Sequence, residues 1–197
     1  VFVQLEREQT QQRIIDAYKS RTEKGYFMGG TTLYGYQKTP IIIDGINTST
    51  FEPKPDEAEN IKLIYELYSK PAFSLGQVIR ELAKEGKNIK TTRGNKCWNT
   101  ARLSETIRNP TYVKADYNIY NFFKEQGCNI INPIEDFDGE HACYLFSVKN
   151  TRRKTWDLKG SKIVLAPHKG LIPADMWLNC RRKLLNNHQI KTTKPKN

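Results

Sequence analysis

The chain has 197 residues, of which 38% are hydrophobic and 27% charged, with a formal net charge of +11. That balance excludes wholesale disorder and is large enough to bury a core. No apolar run approaches the ~18 residues of a membrane span, and no signal-peptide pattern opens the chain, so a cytoplasmic location without a membrane partner is expected. The basic excess favours a polyanionic partner over a merely solvated surface, because neutralising phosphates releases condensed counterions.

In chain order, residues 1–24 lack Gly and Pro and read as helix, apolar at Val1, Phe2 and Leu5 and again at Ile14, Ile15 and Tyr18. Those ends are expected to bury against different neighbours, leaving the polar middle wet or against a charged surface. Residues 25–55 form a Gly- and Tyr-rich arm with turns at Pro40 and Asp44-Gly45, and Ile41 to Ile43 as a short strand of a hairpin. Pro55-Asp56-Glu57 opens a helix with an apolar stripe at Ala58, Ile61, Ile64, Tyr65 and Tyr68, stopped by Pro71. Ser74 and Gln77 have capping-box spacing for a second helix that turns Leu75, Val78, Ile79 and Leu82 inward, with Gly86 at its end.

A basic connection, Lys87, Lys90, Arg93 and Lys96, then runs to Trp98, and Asn99 is the natural N-cap of a third helix, Thr100 to Arg108. Ala101, Leu103 and Ile107 are expected inward; Thr100, Arg102, Ser104 and Arg108 outward. The second half reads as mixed: a helix over 116–126, an acidic loop at Glu135, Asp136, Asp138 and Glu140, and strands over 142–148 and 162–166. A basic loop, Arg152-Arg153-Lys154, joins the strands, and Pro173 stands at N1 of a last helix carrying Trp177, Cys180, Leu184 and Leu185. The fold class expected is α+β: a mainly helical domain with a helix-turn-helix-like pair and a small antiparallel sheet, preceded by a long N-terminal helix. The segments are 1–24, the arm and hairpin 25–55, the main domain 56–190, and a polar linker 191–197; absent an initiator Met and a first cap, further sequence is expected on both sides.

Two helices whose second presents Thr, Arg and Ser outward follow the logic of helix-turn-helix readout, although the 87–98 connection exceeds a standard turn; a solvated αα-pair is the rival reading. Thr100, Arg102 and Ser104 are the expected base readers. Lys87, Lys90, Arg93, Lys96 and Arg108 are the expected phosphate contacts, and Asn99, Arg152 and Arg153 are further expected DNA contacts. Gly29 and Gly30, with Tyr34, Tyr36, Arg21, Lys24 and Lys38, form an arm suited to an adjacent minor groove; the rival is a structural turn with packed tyrosines. No nucleotide-binding glycine motif occurs, and His141, His168 and His188 stand apart, so neither a small-molecule substrate nor a cofactor is expected. Cys97, Cys128, Cys143 and Cys180 lack zinc-ligand spacing and read as mostly buried free thiols, a metal shared by His141 and Cys143 being the alternative.

Ordered blocks resemble the large serine recombinases. They are Phe2-x-x-Leu5-Glu6-Arg7-Glu8 with Arg13; Gly25-Tyr26-Phe27-Met28-Gly29-Gly30 and Tyr34-Gly35-Tyr36; Pro55-Asp56-Glu57-Ala58-Glu59, Tyr65-x-x-Tyr68 and Trp98; Arg108-Asn109-Pro110-Thr111-Tyr112; and Val164 to His168 with Ile172-Pro173 and Trp177. Residues 129–157 are most similar to recombinases of clostridial mobilisable transposons. Leu33 departs from the family, which has Pro before the Tyr-Gly-Tyr. The resemblance implies that residues 1–24 end a resolvase-like catalytic domain whose serine lies elsewhere, and that the rest is the recombinase domain. It implies that the parent acts as a dimer or tetramer on double-stranded DNA in a bacterial nucleoid, integrating or excising a transposon or phage, and that this piece is inactive alone. The competing class is a protein-interaction module docking through the mixed second half.

Overall fold

The computed structural model describes residues 2–87, 89–91, 94–146 and 158–192. The chain runs α1 (Phe2–Glu23), β1 (Tyr36–Ile43), β2 (Ile46–Pro53), α2 (Pro55–Ser69), α3 (Leu75–Lys84), β3 (Ile89–Thr91), β4 (Gly94–Lys96), α4 (Thr100–Arg108), α5 (Tyr117–Glu125), β5 (Asn129–Ile130), β6 (His141–Phe146), β7 (Lys162–Lys169) and α6 (Ala174–Thr192). Among the described residues no helix is long and apolar enough to cross a membrane.

Among the described side chains of α1, those of residues 4–21 are exposed, and Thr22 and Glu23 in its last turn meet the rest of the fold. Gly25, at φ +70°, lets the helix close with Gly25 N–H bonded to Thr22 and Tyr26 N–H to Arg21, the Schellman pattern. A Cβ there would lie 2.5 Å from the Leu165 carbonyl oxygen, so only glycine lets the chain pass β7 this closely. Glu23 adds a 2.8 Å ion pair to Lys162. The expectation that α1 buries both apolar ends fails for its second cluster: Ile14 is 65% exposed, with Ile15 and Tyr18 also open. A straight helix of this length reaches about 33 Å, and among its described side chains only those of the C-terminal turn are covered.

The hairpin is longer than the local pattern implied. Asp44 (φ +50°) and Gly45 (φ +74°) make the two-residue turn, with Ile43 opposite Ile46, and the pairing runs back to Tyr36 opposite Pro53. Pro40, expected in a turn, sits inside β1 opposite Ser49, which a two-stranded sheet tolerates because each strand is an edge.

The helices follow their apolar stripes. α2 buries Ala58, Ile61, Ile64, Tyr65 and Tyr68; α3 buries Val78 and Leu82 behind the Ser74–Gln77 capping box. At its far end Gly86 N–H bonds Ala83 and Lys87 N–H bonds Leu82. Lys183 of α6 donates to the carbonyls of Tyr68, Lys70 and Phe73 at 2.7–2.9 Å, placing a cation on the carbonyl-rich end of α2.

The three-stranded sheet has the order β5-β7-β6. The fold is α+β as expected, with small antiparallel sheets in β1–β2 and β3–β4 and the two expected strands β6 and β7 antiparallel to each other; the addition of β5 parallel to β7 makes this third sheet mixed. Pro173 stands one position outside the predicted N1 place: its carbonyl accepts the first helical bond of α6, from Trp177. Of the thiols, Cys143 and Cys180 are buried, Cys128 is half-buried and Cys97 is exposed. Burial pushes the Cys128 thiol up to about 11 and the Cys180 thiol to about 12.

Candidate nucleic-acid interface

α4 is held by both ends. Asn99 Oδ1 accepts from Arg102 N–H at 2.8 Å, capping the N-terminus. At the other end the carbonyls that run out of helical partners are met from outside: Tyr65 OH donates to Thr106 and Ile107, and Trp177 Nε1 to Asn109. α2 and α6 therefore fix the direction in which α4 presents its free face.

That face differs from the expected one. Leu103, Ser104, Thr106 and Ile107 are buried, while Thr100, Ala101, Arg102 and Glu105 are exposed. Ser104, expected outward, is 8% exposed, and Ala101, expected inward, is open. The cause is helical geometry: Ser104 stands about 60° around the axis from Ile107 and so shares its buried stripe. Arg108 is half-buried, its Nε bonded to the Ser104 carbonyl at 2.9 Å. Burial lowers its guanidinium to about 10, and the fully buried Arg181 of α6 is lowered to about 9, by burial first and then by the Arg108 charge. Both stay cationic at neutral pH.

The connection that seemed too long for a turn contains a second hairpin, β3 with β4, in which Ile89 faces Lys96 and Lys90 faces Asn95. Lys90 lies on β3 and Lys96 on β4. Arg93, Arg152 and Arg153 lie outside the described residues. Lys87 pairs with Glu85 at 2.9 Å, and its carbonyl accepts from Trp98 Nε1.

The arm returns across the same face. Gly29 (φ +89°) and Gly30 (φ +104°) have open space where a Cβ would stand, so conformation rather than close approach demands glycine. Lys38 Nζ donates to the Gly30 carbonyl at 2.8 Å and lies 4.6 Å from the Phe27 ring centroid. Tyr34 meets Trp98 edge-to-face at 5.2 Å and accepts from Tyr112 OH at its carbonyl and from Asn60 at its hydroxyl. Glu57, in the first turn of α2, accepts from Gly35 N–H at 3.0 Å, a role its sequence signal as a helix-start acid did not announce. Tyr36, a predicted arm contact, is 3% exposed and stacks between Phe51 and Tyr112, with its hydroxyl on the Thr111 carbonyl. It belongs to the core, because its alternation in β1 points it inward. Arg21 and Lys24 are exposed, the first against the Tyr26 ring and the second 3.2 Å from Asp44.

The arm and α4 thus border one open cleft of 590 Å³, lined on one side by Thr31, Thr32, Leu33 and Tyr34 and on the other by Arg102, Glu105 and Asn109, with Lys54 and Trp98 at its rim. A second, more apolar cleft of 320 Å³ lies across the arm, between Phe27, Met28 and Gly29 and the end of β6, again touching Glu105. Of the predicted residues, Arg102 and Tyr34 come together in the first cleft, while Gly29 borders only the second and Gly30 neither; Lys54 and Glu105 were missed, lacking any local pattern that marks them. Among the described residues no group of three or more His, Cys, Asp or Glu is placed to hold a metal.

No curated protein matches the chain. A solved structure described as "Crystal Structure of a LSR-DNA Complex" is 14% identical, with a TM-score of 0.46; the likeness covers 87% of this chain and 38% of that one. The chain therefore spans less than two thirds of that relative's length. The model of the Recombinase family matches residues 55–187, from the first turn of α2 into α6, and by this match the chain belongs to the Recombinase family.

Proposed function

We propose that the chain is the DNA-binding part of a site-specific serine recombinase, gripping duplex DNA with the exposed face of α4 in the major groove and the 29–34 arm along the adjacent minor groove. The observation that carries this is the shared cleft: the two elements expected to touch DNA, 66 or more residues apart, border one open surface. Arg102 supplies base contact from the capped N-terminal half of α4, and Lys54, Lys87, Lys90 and Lys96 supply phosphate neutralisation beside it. Strand cutting and rejoining at the ends of a mobile element belongs to the parent, through a serine outside these residues. No cofactor enters this binding role.

The test is selection of bound sequences from a randomised duplex pool, followed by anisotropy titrations over a salt series. The expected result is a selected motif bound at least ~10³-fold more tightly than scrambled duplex at physiological salt. Lys54→Ala should flatten the log–log salt slope by ~0.9 and weaken all sequences alike. Equal affinity for selected and scrambled duplex would sink sequence-specific recognition.

A second role in assembly is favoured by Leu5, Ile14, Ile15 and Tyr18, large apolar side chains exposed along α1. Sedimentation of the chain with and without DNA tests it: a strictly monomeric species in both removes this reading.

A further inference from the structure

We propose that Glu105 determines sequence specificity by accepting a hydrogen bond from the N4 amino group of a cytosine, next to a guanine read by Arg102. The inference rests on the DNA-binding reading above and names a residue that reading does not use.

Glu105 is exposed on the free face of α4 and borders both clefts, so it stands where the helix surface meets the arm. No hydrogen bond or salt bridge to its carboxylate occurs among the described residues. Its charge acts on Arg108, whose Nε is already given to the Ser104 carbonyl. A carboxylate in this position, on a chain of net charge +11, weakens binding to every sequence unless it meets a donor. Donors on the major-groove edge are few: cytosine N4 and adenine N6. Adenine also presents the N7 acceptor, which repels a carboxylate, so cytosine is the matching base. Arg102 precedes Glu105 by three residues, which places the pair on one face and about 4.5 Å apart along the axis. The rise between base pairs is about 3.4 Å, so the two side chains address neighbouring pairs, with guanine O6 and N7 facing Arg102.

The test compares the wild-type chain, Glu105→Gln and Arg102→Ala on the selected duplex and on its single-base variants. Wild type should lose about 5- to 150-fold when the cytosine is replaced. Glu105→Gln should lose less than about 3-fold for thymine at that position, since the glutamine amide donates to thymine O4, while keeping its preference elsewhere and binding scrambled duplex more tightly. Arg102→Ala should relax the neighbouring guanine. Unchanged cytosine preference in Glu105→Gln, or a selected motif without adjacent guanine and cytosine, overturns the proposal and leaves DNA recognition standing. A uniform loss on all sequences also overturns it, making Glu105 a positioning residue for Arg108. If wild type selects no motif, the DNA-recognition reading falls with it.

Discussion

His168 makes the stability of this fold depend on pH in a way that can be worked out in advance. Its side chain is 3% exposed, between the rings of Tyr36, Phe51 and Tyr144 at centroid distances of 5.2–5.4 Å. Nε2–H donates to the Thr111 carbonyl at 3.1 Å, whereas Nδ1 is buried with no hydrogen-bond partner among the described residues. A second proton would have to sit on Nδ1, away from water, and burial accordingly lowers the imidazole to about 4 from its usual 6.5. A base whose affinity for protons is lower in the folded state leaves stability intact above pH 6.5. Below that, the unfolded chain takes up a proton that the folded chain refuses, and stability falls by about 1.4 kcal/mol per pH unit until about pH 4. Between pH 7 and pH 5 the contribution lost is about 2 kcal/mol, arising over the stretch below 6.5. His168→Gln keeps a donor for Thr111 and removes the titration. Urea unfolding of both proteins at pH 7, 6 and 5 should show wild type losing about 2 kcal/mol more than the variant, since contributions common to both proteins cancel in the difference. A wild-type-minus-variant gap constant to within about 0.5 kcal/mol over that range would refute the buried, neutral imidazole.

Gly170→Ala should abolish folding or cost more than about 3 kcal/mol, because the new Cβ would lie 2.2 Å from the Val113 carbonyl oxygen and 2.5 Å from Lys114 N, backbone atoms that cannot yield; soluble yield and urea midpoint report it. Lys183→Met keeps the aliphatic stem and removes the ammonium donor shared by three carbonyls at the end of α2, of which that of Lys70 keeps Phe73 N–H, an expected loss of about 2 kcal/mol in chemical unfolding at neutral pH. Asn99→Ala removes the cap of α4 and should cost about 1 kcal/mol; DNA affinity should fall with it, and amide exchange in the first turn of α4 should rise.

Features that depend on neighbours within a turn or two were legible from residues alone. The α2 stripe, the Ser74–Gln77 box, the Asn99 cap and the Asp44-Gly45 turn all stand where spacing put them, since each is a local match between side chain and backbone. The misreadings share one cause. Ser104 and Tyr36 are polar residues whose exposure depends on what lies opposite: Ser104 shares the buried stripe of α4, and Tyr36 packs between Phe51 and Tyr112. The β3–β4 hairpin was hidden because its strands are three residues each, too short to display alternation. β5 is shorter still, and its parallel partner β7 arrives over thirty residues later, so no local pattern could reveal a mixed sheet.

The basic charge, the capped helices and the ordered blocks by themselves pointed to a recombinase domain and to α4 with the glycine arm as its working parts. Only the tertiary structure decided which face of α4 is free. That depends on long-range donors, Tyr65 and Trp177, which orient the helix through its terminal carbonyls, and on the apolar surfaces that claim Leu103, Ser104 and Ile107. What remains open to solvent there is Thr100, Ala101, Arg102 and Glu105. A helix can turn any side of itself outward until its neighbours arrive, and those neighbours are far away in the chain.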